Sequence, residues 1–382
     1  MRLLHLTGGF PKPTETFIKR YVQKSSRFAE VGVASFHYED VDMGLQGVSF
    51  YTINREYYTR KNATGATRFL SEKLTGNRSW YSDFDQAISK FNPDIIHCHF
   101  GNEGIAMMEF EQKIKKRVPY VTSFYGYDIS SQPATDKQYL AGLQKLLKHG
   151  NAFFAEGPEL KKKVLAFGCA DEKCLVNPLL IPVEDYPRKT TYRKPGDPIR
   201  FLFVGRFIEK KGFHIFLEAI GRILKKMDPF IIDVIGAGPM QQDYERLIEK
   251  NNLDGLINWK GMMNHDAIIG MMKNYDFLVH PSLTAKDGES EGGAPTIIIE
   301  AQAAGLPVIT SDHADIPYVM GYHDFLAKEN NVSSLAEAIE KMINCENVRE
   351  YADKGIAKAS AQHSLQHNSI YENNLKNIIA RQ

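Results

Sequence analysis

Short apolar runs of strand length recur along the chain, separated by helical periodicities and by clusters of glycine, proline and polar residues. Arg2–Thr7, residues 31–36 and 48–53, the run from Asp94 to Phe100, and the run from Pro119 read as strands of a first half. Ile199–Val204, Phe230–Ile235, Phe277–His280 and Leu306–Thr310 restart the pattern in a second half. Between them, residues 136–149 carry Leu140, Leu143, Leu146 and Leu147 on one helical stripe with lysines opposite. A last stripe, Tyr371, Leu375, Ile378 and Ile379, predicts a C-terminal helix. Strands alternating with helices predict an α/β fold of parallel sheets. Three prolines among many charges over residues 184–199 predict a linker.

The densest chemistry lies in Asp287-Gly-Glu-Ser-Glu291-Gly-Gly-Ala-Pro-Thr-Ile-Ile-Ile-Glu300. It leaves a predicted strand at its carboxyl end, where open α/β sheets bind ligands. Gly292 and Gly293 let backbone N–H groups approach a ligand. Pro295 predicts a helix start, because its missing N–H is not needed in the first turn. The free N–H groups near Ala294, Pro295 and Thr296 suit a phosphate. Glu300 sits among Ile297–Ile299 and Ala301–Ala304, where a charge needs a partner. Helical side chains lean toward the N-terminus, so Glu300 points back at the loop. Gly305 and Pro307 stop the helix.

Other turns add candidates. Gly205-Arg206 and Lys211-Gly212 follow a strand, and a guanidinium with an ammonium there would hold a diphosphate. Gly8-Gly9 and the Gly236-Ala-Gly238 turn also follow strands, although neither completes G-x-G-x-x-G. His97 and His99 share a strand face, yet no third ligand with plausible spacing is evident, so structural histidines are expected rather than zinc. The runs Asp40-Val-Asp42 and Asp83-Phe-Asp85 read as surface loops, and no metal or cofactor is expected.

Composition narrows the class. The 382 residues exceed one ordinary core, and 43% hydrophobic with 24% charged residues describes a globular chain. A formal net charge of +1 argues against a nucleic-acid partner. Residues 1–190 hold 26 Lys and Arg against 21 Asp and Glu, leaving the remainder acidic. Four cysteines in no zinc or redox spacing are expected as reduced thiols. No apolar run approaches the ~20 residues of a membrane span, so a cytoplasmic protein is expected.

The Glu291…Glu300 loop with Gly205-Arg206…Lys211-Gly212 resembles the donor site of retaining glycosyltransferases of family 4, of the bacterial exopolysaccharide and colanic-acid type. The resemblance is tight over 199–320 and loose over 1–180. It implies GT-B architecture: an acceptor domain over 1–185, a donor domain over 196–360, and a C-terminal helix over 361–382 that crosses back to the first. The family spaces its two glutamates by seven residues; here eight intervene, the extra one falling within Gly292–Pro295. By resemblance Glu291 contacts the donor sugar and Glu300 the ribose, while Arg206 and Lys211 neutralise the diphosphate. The segment around Met262 would contact the base through its backbone. The run Phe10-Pro-Lys-Pro-Thr-Glu-Thr-Phe-Ile18, read as opening a helix with an acidic first turn, would lie with Gly8 and Gly9 near donor phosphates and acceptor. Tyr125-Gly126-Tyr-Asp128 matches a family His-Gly-x-Asp, with tyrosine in the histidine position. Tyr125 is expected to pack against the sugar and donate a hydrogen bond, with His99 or His97 as the alternative contact.

The implied activity is transfer of a hexose from a nucleotide-diphosphate sugar to a glycan or lipid-linked acceptor. The basic helix of the first domain is expected as an ordinary solvated face, with a peripheral contact at the inner membrane face as the alternative. The alternatives are a nucleotide-sugar 2-epimerase of the same architecture and a donor-binding protein without transfer.

Overall fold

The central apolar runs become strands buried on both faces, the condition that all-parallel sheets impose, while edge strands such as Ser49–Thr52 and Ile257–Gly261 stay partly exposed. The structure, a computed structural model, describes residues 1–11, 15–37, 44–53 and 80–381. Its chain divides into two units. One takes Met1–Ala155, Lys161–Asn177 and Ser369–Gln382; the other takes Glu156–Leu160 and Pro178–Asn368.

In the first unit β1 (Arg2–Thr7), β2 (Glu30–Ser35), β3 (Ser49–Thr52), β4 (Ile95–His99), β5 (Tyr120–Phe124), β6 (Ala152–Ala155) and β7 (Cys174–Val176) form one parallel sheet. Its order is β3-β2-β1-β4-β5-β6-β7. The chain reverses direction across the sheet between β1 and β4, which makes that crevice the ligand-binding point of such a sheet. Register puts His5 of β1 beside His97 of β4, and His99 beside Ser123 of β5.

Helices flank this sheet by burying one stripe each. Helix Lys137–His149 is capped by Asp136, whose carboxylate accepts the N–H groups of Gln138 and Tyr139, worth about 0.5–2 kcal/mol. Its buried stripe is Tyr139, Leu143, Leu146 and Leu147, with Leu140 only half-buried. Helix Thr16–Ser25 starts one residue after Glu15, which stands at the N-cap, so the expected acidic first turn is not formed. Asp83 and Asp85, expected in a loop, lie on helix Trp80–Phe91, because Trp80, Phe84, Ala87, Ile88 and Phe91 bury one helical face. Lys12–Thr14 and the Asp40-Val-Asp42 run lie outside the described residues. The last helix, Ile370–Ala380, belongs to this unit and buries Tyr371, Leu375 and Ile378.

In the second unit β8 (Ile199–Val204), β9 (Phe230–Ile235), β10 (Ile257–Gly261), β11 (Phe277–His280), β12 (Val308–Asp312) and β13 (Leu326–Lys328) form a parallel sheet. The order is β10-β9-β8-β11-β12-β13, reversing between β8 and β11. Helix Phe213–Ile223 buries Phe213, Phe216, Leu217 and Ile220 in the core. Helix Thr296–Ala303 is buried almost all round, with Pro295 at its N-cap rather than inside its first turn. Gly305, at φ +73°, ends it as expected.

The segment 184–199 is not a free connector. Lys189 N–H donates to Ala304 O at 2.8 Å, Tyr192 Oη to Gly305 O at 3.2 Å, and Arg193 Nη1 to Ile343 O at 2.5 Å. Its two buried cations pair with acids of the same unit, Arg193 with Asp228 at 3.0 Å and Lys189 with Asp276 at 3.7 Å. The four cysteines are free thiols. Among the described residues no helix is long and apolar enough to cross a membrane.

Candidate active site

At the β8–β11 reversal two loops are laced together by charge. Lys210 and Lys211 end the turn after β8, and the acidic loop after β11 answers them. Lys210 Nζ lies 2.8 Å from Glu289 Oε1 and donates to Ser290 O at 3.3 Å. Lys211 Nζ donates to Glu291 Oε1 at 2.7 Å, and Ser282 Oγ donates to the same oxygen at 3.2 Å. Burial pushes the Glu291 carboxyl up, but Lys211 and Lys210 outweigh burial and hold it at about 2. The Glu291 N–H donates to His313 Nε2 at 3.3 Å, while His313 Nδ1 lies 3.1 Å from Glu329 Oε2. That pairing places the His313 proton on Nδ1.

Such close approach requires glycine at two points. Gly212 has φ +71°, and a Cβ there would fall 1.9 Å from Pro281 O. Gly236 has φ +142°, and its Cβ would fall 1.9 Å from Gly205 O. Gly205, Gly236 and, beside the Phe207 backbone, Gly238 therefore bring the turns after β8 and β9 into contact. Gly292, Gly293, Ala294 and Pro295 are buried and lead into the Thr296–Ala303 helix, whose N-terminus has no side-chain cap. Arg206 is exposed at the mouth of the same turn, and Met262 is 75% exposed after β10.

Glu300 is buried, at 3% exposure, and its partner is now visible. His265 Nε2 lies 2.8 Å from Glu300 Oε1, and Tyr186 Oη donates to that oxygen at 3.3 Å. His265 opens helix His265–Met271, far from Glu300 in sequence, and only its place just after Gly261-Met-Met263 could have suggested it.

The first unit holds Gly8, Gly9, His99 and Tyr125. Gly8 follows β1, and a Cβ on it would lie 2.8 Å from Glu103 Oε1. The third histidine that the spacing did not suggest is His5, supplied by the neighbouring strand rather than by nearby sequence. His5, His97 and His99 are all fully buried, with their nitrogens clustered as metal ligands could be. Every ring nitrogen already has a hydrogen-bond partner, however. His97 meets Tyr371 Oη at 2.8 Å and Ser123 Oγ at 2.7 Å; His5 Nε2 meets Ser25 Oγ at 3.0 Å. His5 Nδ1 meets His99 Nε2 at 2.9 Å, and His99 Nδ1 meets Tyr125 Oη at 2.7 Å. The donor set therefore fits a hydrogen-bonded network better than a bound ion.

The direction of this chain follows from its end. Ser25 Oγ donates to Tyr21 O at 2.7 Å, so it accepts from His5 Nε2–H. Burial pushes His5 down to about 3 and His99 well below the usual imidazole value, so both are neutral. His5 Nδ1 then accepts from His99 Nε2–H, and His99 Nδ1 accepts from Tyr125 O–H. The Tyr125 proton thus points inward at His99, not outward as the sequence suggested.

Tyr125 is held from its backbone side too. Asp128 Oδ1 accepts the N–H groups of Tyr125 and Gly126, each at 3.0 Å, and Oδ2 accepts Gly101 N–H at 3.0 Å. Burial pushes the Asp128 carboxyl up to about 6 against those donors. The neighbouring Phe100 has φ +77° and ψ 157°, a region that side chains avoid at a cost of about 1–3 kcal/mol.

Two parallel sheets, each with a switch-point crevice and one carrying the paired lysines and glutamates, define a GT-B fold. Comparison with known proteins agrees. Residues 188–359 match the family "Glycosyl transferases group 1". WcaL of Salmonella typhimurium, assigned to colanic acid biosynthesis as a glycosyltransferase, is 28% identical over 253 residues, 66% of this chain. The amylovoran biosynthesis glycosyltransferase AmsK of Erwinia amylovora is 29% identical over 255 residues, again 66% of this chain. The matches cover 62% of the length of each of these relatives. Among solved structures, sucrose-phosphate synthase of Thermosynechococcus elongatus superposes with TM-score 0.76 at 15% identity, covering 100% of both chains. Anabaena HepE in complex with UDP superposes with TM-score 0.75 at 16% identity, covering 99% of this chain and 100% of that one.

Proposed function

We propose that this chain transfers a hexose from a nucleoside-diphosphate sugar to a glycan or lipid-linked glycan, with retention of configuration, in extracellular polysaccharide synthesis. The observation that carries the proposal is the buried Lys211–Glu291 pair, 2.7 Å apart at the reversal point of the second sheet. Relatives in colanic acid and amylovoran synthesis support the polysaccharide role, and the UDP complex of HepE supports a uridine nucleotide.

Breaking the sugar–phosphate bond places negative charge on the departing diphosphate. Lys211 and Arg206 would meet that charge with the free N–H groups at the start of the Thr296–Ala303 helix, without a metal ion. Glu291 would orient the sugar and Glu300 the ribose, a positioning contribution. The acceptor proton would leave on the departing phosphate, since the neutral His99–His5 chain ends at a backbone carbonyl and stores no proton. A peripheral contact with anionic lipid is part of the proposal, because Lys137, Lys145 and Lys148 are exposed opposite a buried stripe.

The test is release of nucleoside diphosphate from UDP-hexoses in the presence and absence of glycan acceptors. Release that depends on the acceptor supports transfer. An epimerised sugar from donor alone would make the chain a 2-epimerase. Donor binding without turnover across an acceptor panel would make it a binding protein.

A further inference from the structure

The loop that carries Glu291 is held from behind by two residues of other loops. His313 directly follows β12 and Glu329 directly follows β13, so both stand at the carboxyl ends of neighbouring strands. The His313 imidazole is 4% exposed and engaged at both nitrogens. Its Nε2 accepts Glu291 N–H at 3.3 Å, and its Nδ1 faces Glu329 Oε2 at 3.1 Å. Glu329 Oε1 in turn accepts Thr284 N–H at 2.6 Å. We propose that His313 and Glu329 are positioning residues that fix the Glu291 peptide, and through it the carboxylate that orients the donor sugar. The sugar contact rests on the function proposed above; the clamp on Glu291 does not.

Three observations carry it. First, the directions of the bonds are fixed. A backbone N–H can only donate, so His313 Nε2 is the bare nitrogen and Nδ1 carries the proton. Glu329 must then accept twice, from Thr284 N–H and from Nδ1–H, and a carboxylate has two oxygens that only accept. Burial pushes its carboxyl up, but Thr284 N–H and His313 hold it below its ordinary value, which keeps it charged. Second, the turn beneath His313 is rigid. His313 N–H donates to Ser311 O and His313 O accepts Ile316 N–H, each at 3.0 Å, while Ala314 stands at φ +48°, which alanine seldom adopts. Third, Lys211 and Ser282 fix the Glu291 side chain separately, so the peptide and the carboxylate of one residue are both clamped. Such double fixing suits a group that must hold its geometry to within about 0.5 Å.

Three substitutions separate these bonds. In His313→Asn the amide takes the place of Nδ1 and can still donate to Glu329, but nothing reaches Glu291 N–H. In His313→Gln the amide oxygen reaches the Nε2 position and accepts Glu291 N–H again. In Glu329→Gln the side-chain oxygen is claimed by Thr284 N–H, so the amide N–H faces His313 Nδ1. The imidazole proton then moves to Nε2 and confronts Glu291 N–H, a wrong tautomer in an unchanged shape.

Steady-state transfer from UDP-hexoses and titration with UDP are measured on the full chain. His313→Asn and Glu329→Gln should each lower kcat about tenfold or more, with donor KM and UDP Kd within about twofold of the parent. His313→Gln should recover at least about a third of the parent kcat. A merely structural role would move KM, Kd and melting temperature together with kcat, and would not separate Gln from Asn. Nitrogen NMR of ring-labelled histidine supplies a second readout. The signal lost on substituting His313 should report the proton on Nδ1 in the parent and on Nε2 in Glu329→Gln. That variant is nearly isosteric, so it serves even where His313→Asn fails to fold. A parent proton on Nε2, an unchanged kcat in His313→Asn, or a His313→Gln as slow as His313→Asn would overturn the proposal. If the parent transfers no hexose, the proposed function falls on its own, and hydrogen exchange at Glu291 N–H decides the clamp. Faster exchange in Glu329→Gln than in the parent would uphold it, and equal exchange would overturn it.

Discussion

Lys211 and Glu291 are each other's partners, 2.7 Å apart and both largely buried. A diphosphate arriving at Lys211 must therefore compete with a carboxylate that is already charged. Removing the lysine alone leaves that carboxylate buried without its main counter-charge. Lys211→Ala is accordingly expected to lose stability, by about 3–5 kcal/mol, as well as activity. Lys211→Ala with Glu291→Gln should recover most of the stability and none of the activity. Thermal unfolding of both variants decides it: equal melting temperatures for Lys211→Ala and the parent would show that the pair does not hold the loops.

Much of this site was legible in the sequence, and the missing parts share a cause. Lys211, Glu291 and Glu300 stood out because charges beside glycine turns, or inside an apolar helix, have few bland explanations. His5 and His265 did not, since each meets its partner from a separate strand or helix, and only strand register or helix packing brings them together. The direction of the Tyr125 proton needed the whole chain to Ser25 and Tyr21. The helix over Asp83 and Asp85 rests on burial of Trp80, Phe84, Ala87, Ile88 and Phe91, a stripe that the two acids interrupt in sequence.

Glu300 should matter more to nucleotide affinity than His265. Glu300→Ala removes a charged acceptor and should weaken binding by about 1.5–3 kcal/mol. His265→Ala removes only a donor that a ribose hydroxyl can replace. Titration of both variants with UDP checks the order, and a larger loss for His265→Ala would refute the ribose assignment.

Acid should destabilise the fold from pH 6.5 downward. Burial holds His5 and His280 at about 3 and His363 at about 4, and pushes His97 and His99 well down. Between 6.5 and those values the unfolded chain binds more protons, so stability falls with pH, by up to about 1.4 kcal/mol per pH unit for each histidine. Asp128, raised to about 6, opposes this over part of the range but is a single group. Melting temperatures between pH 7.5 and 5 should fall steeply, with a shallower slope in His5→Gln. A flat profile would contradict the buried neutral cluster.

Tyr125→Phe keeps the ring and loses the proton that satisfies His99 Nδ1, leaving a buried acceptor unpaired at about 1–3 kcal/mol. Its transfer rate at saturating donor should stay substantial, because the hydroxyl faces the protein. Tyr125→Ala should lose far more through the missing ring. If Phe were as inactive as Ala, the hydroxyl would have to act on substrate directly.

Calorimetric titration of the full chain with UDP is the most direct measure of the central claim, that the Lys211–Glu291 loops hold a nucleoside diphosphate. One UDP should bind per chain, and the Lys211→Ala, Glu291→Gln double variant, folded by its melting curve, should bind at least about tenfold more weakly. Undiminished UDP binding in that double variant, or no heat with UDP, GDP, ADP or TDP in the parent, would contradict the account.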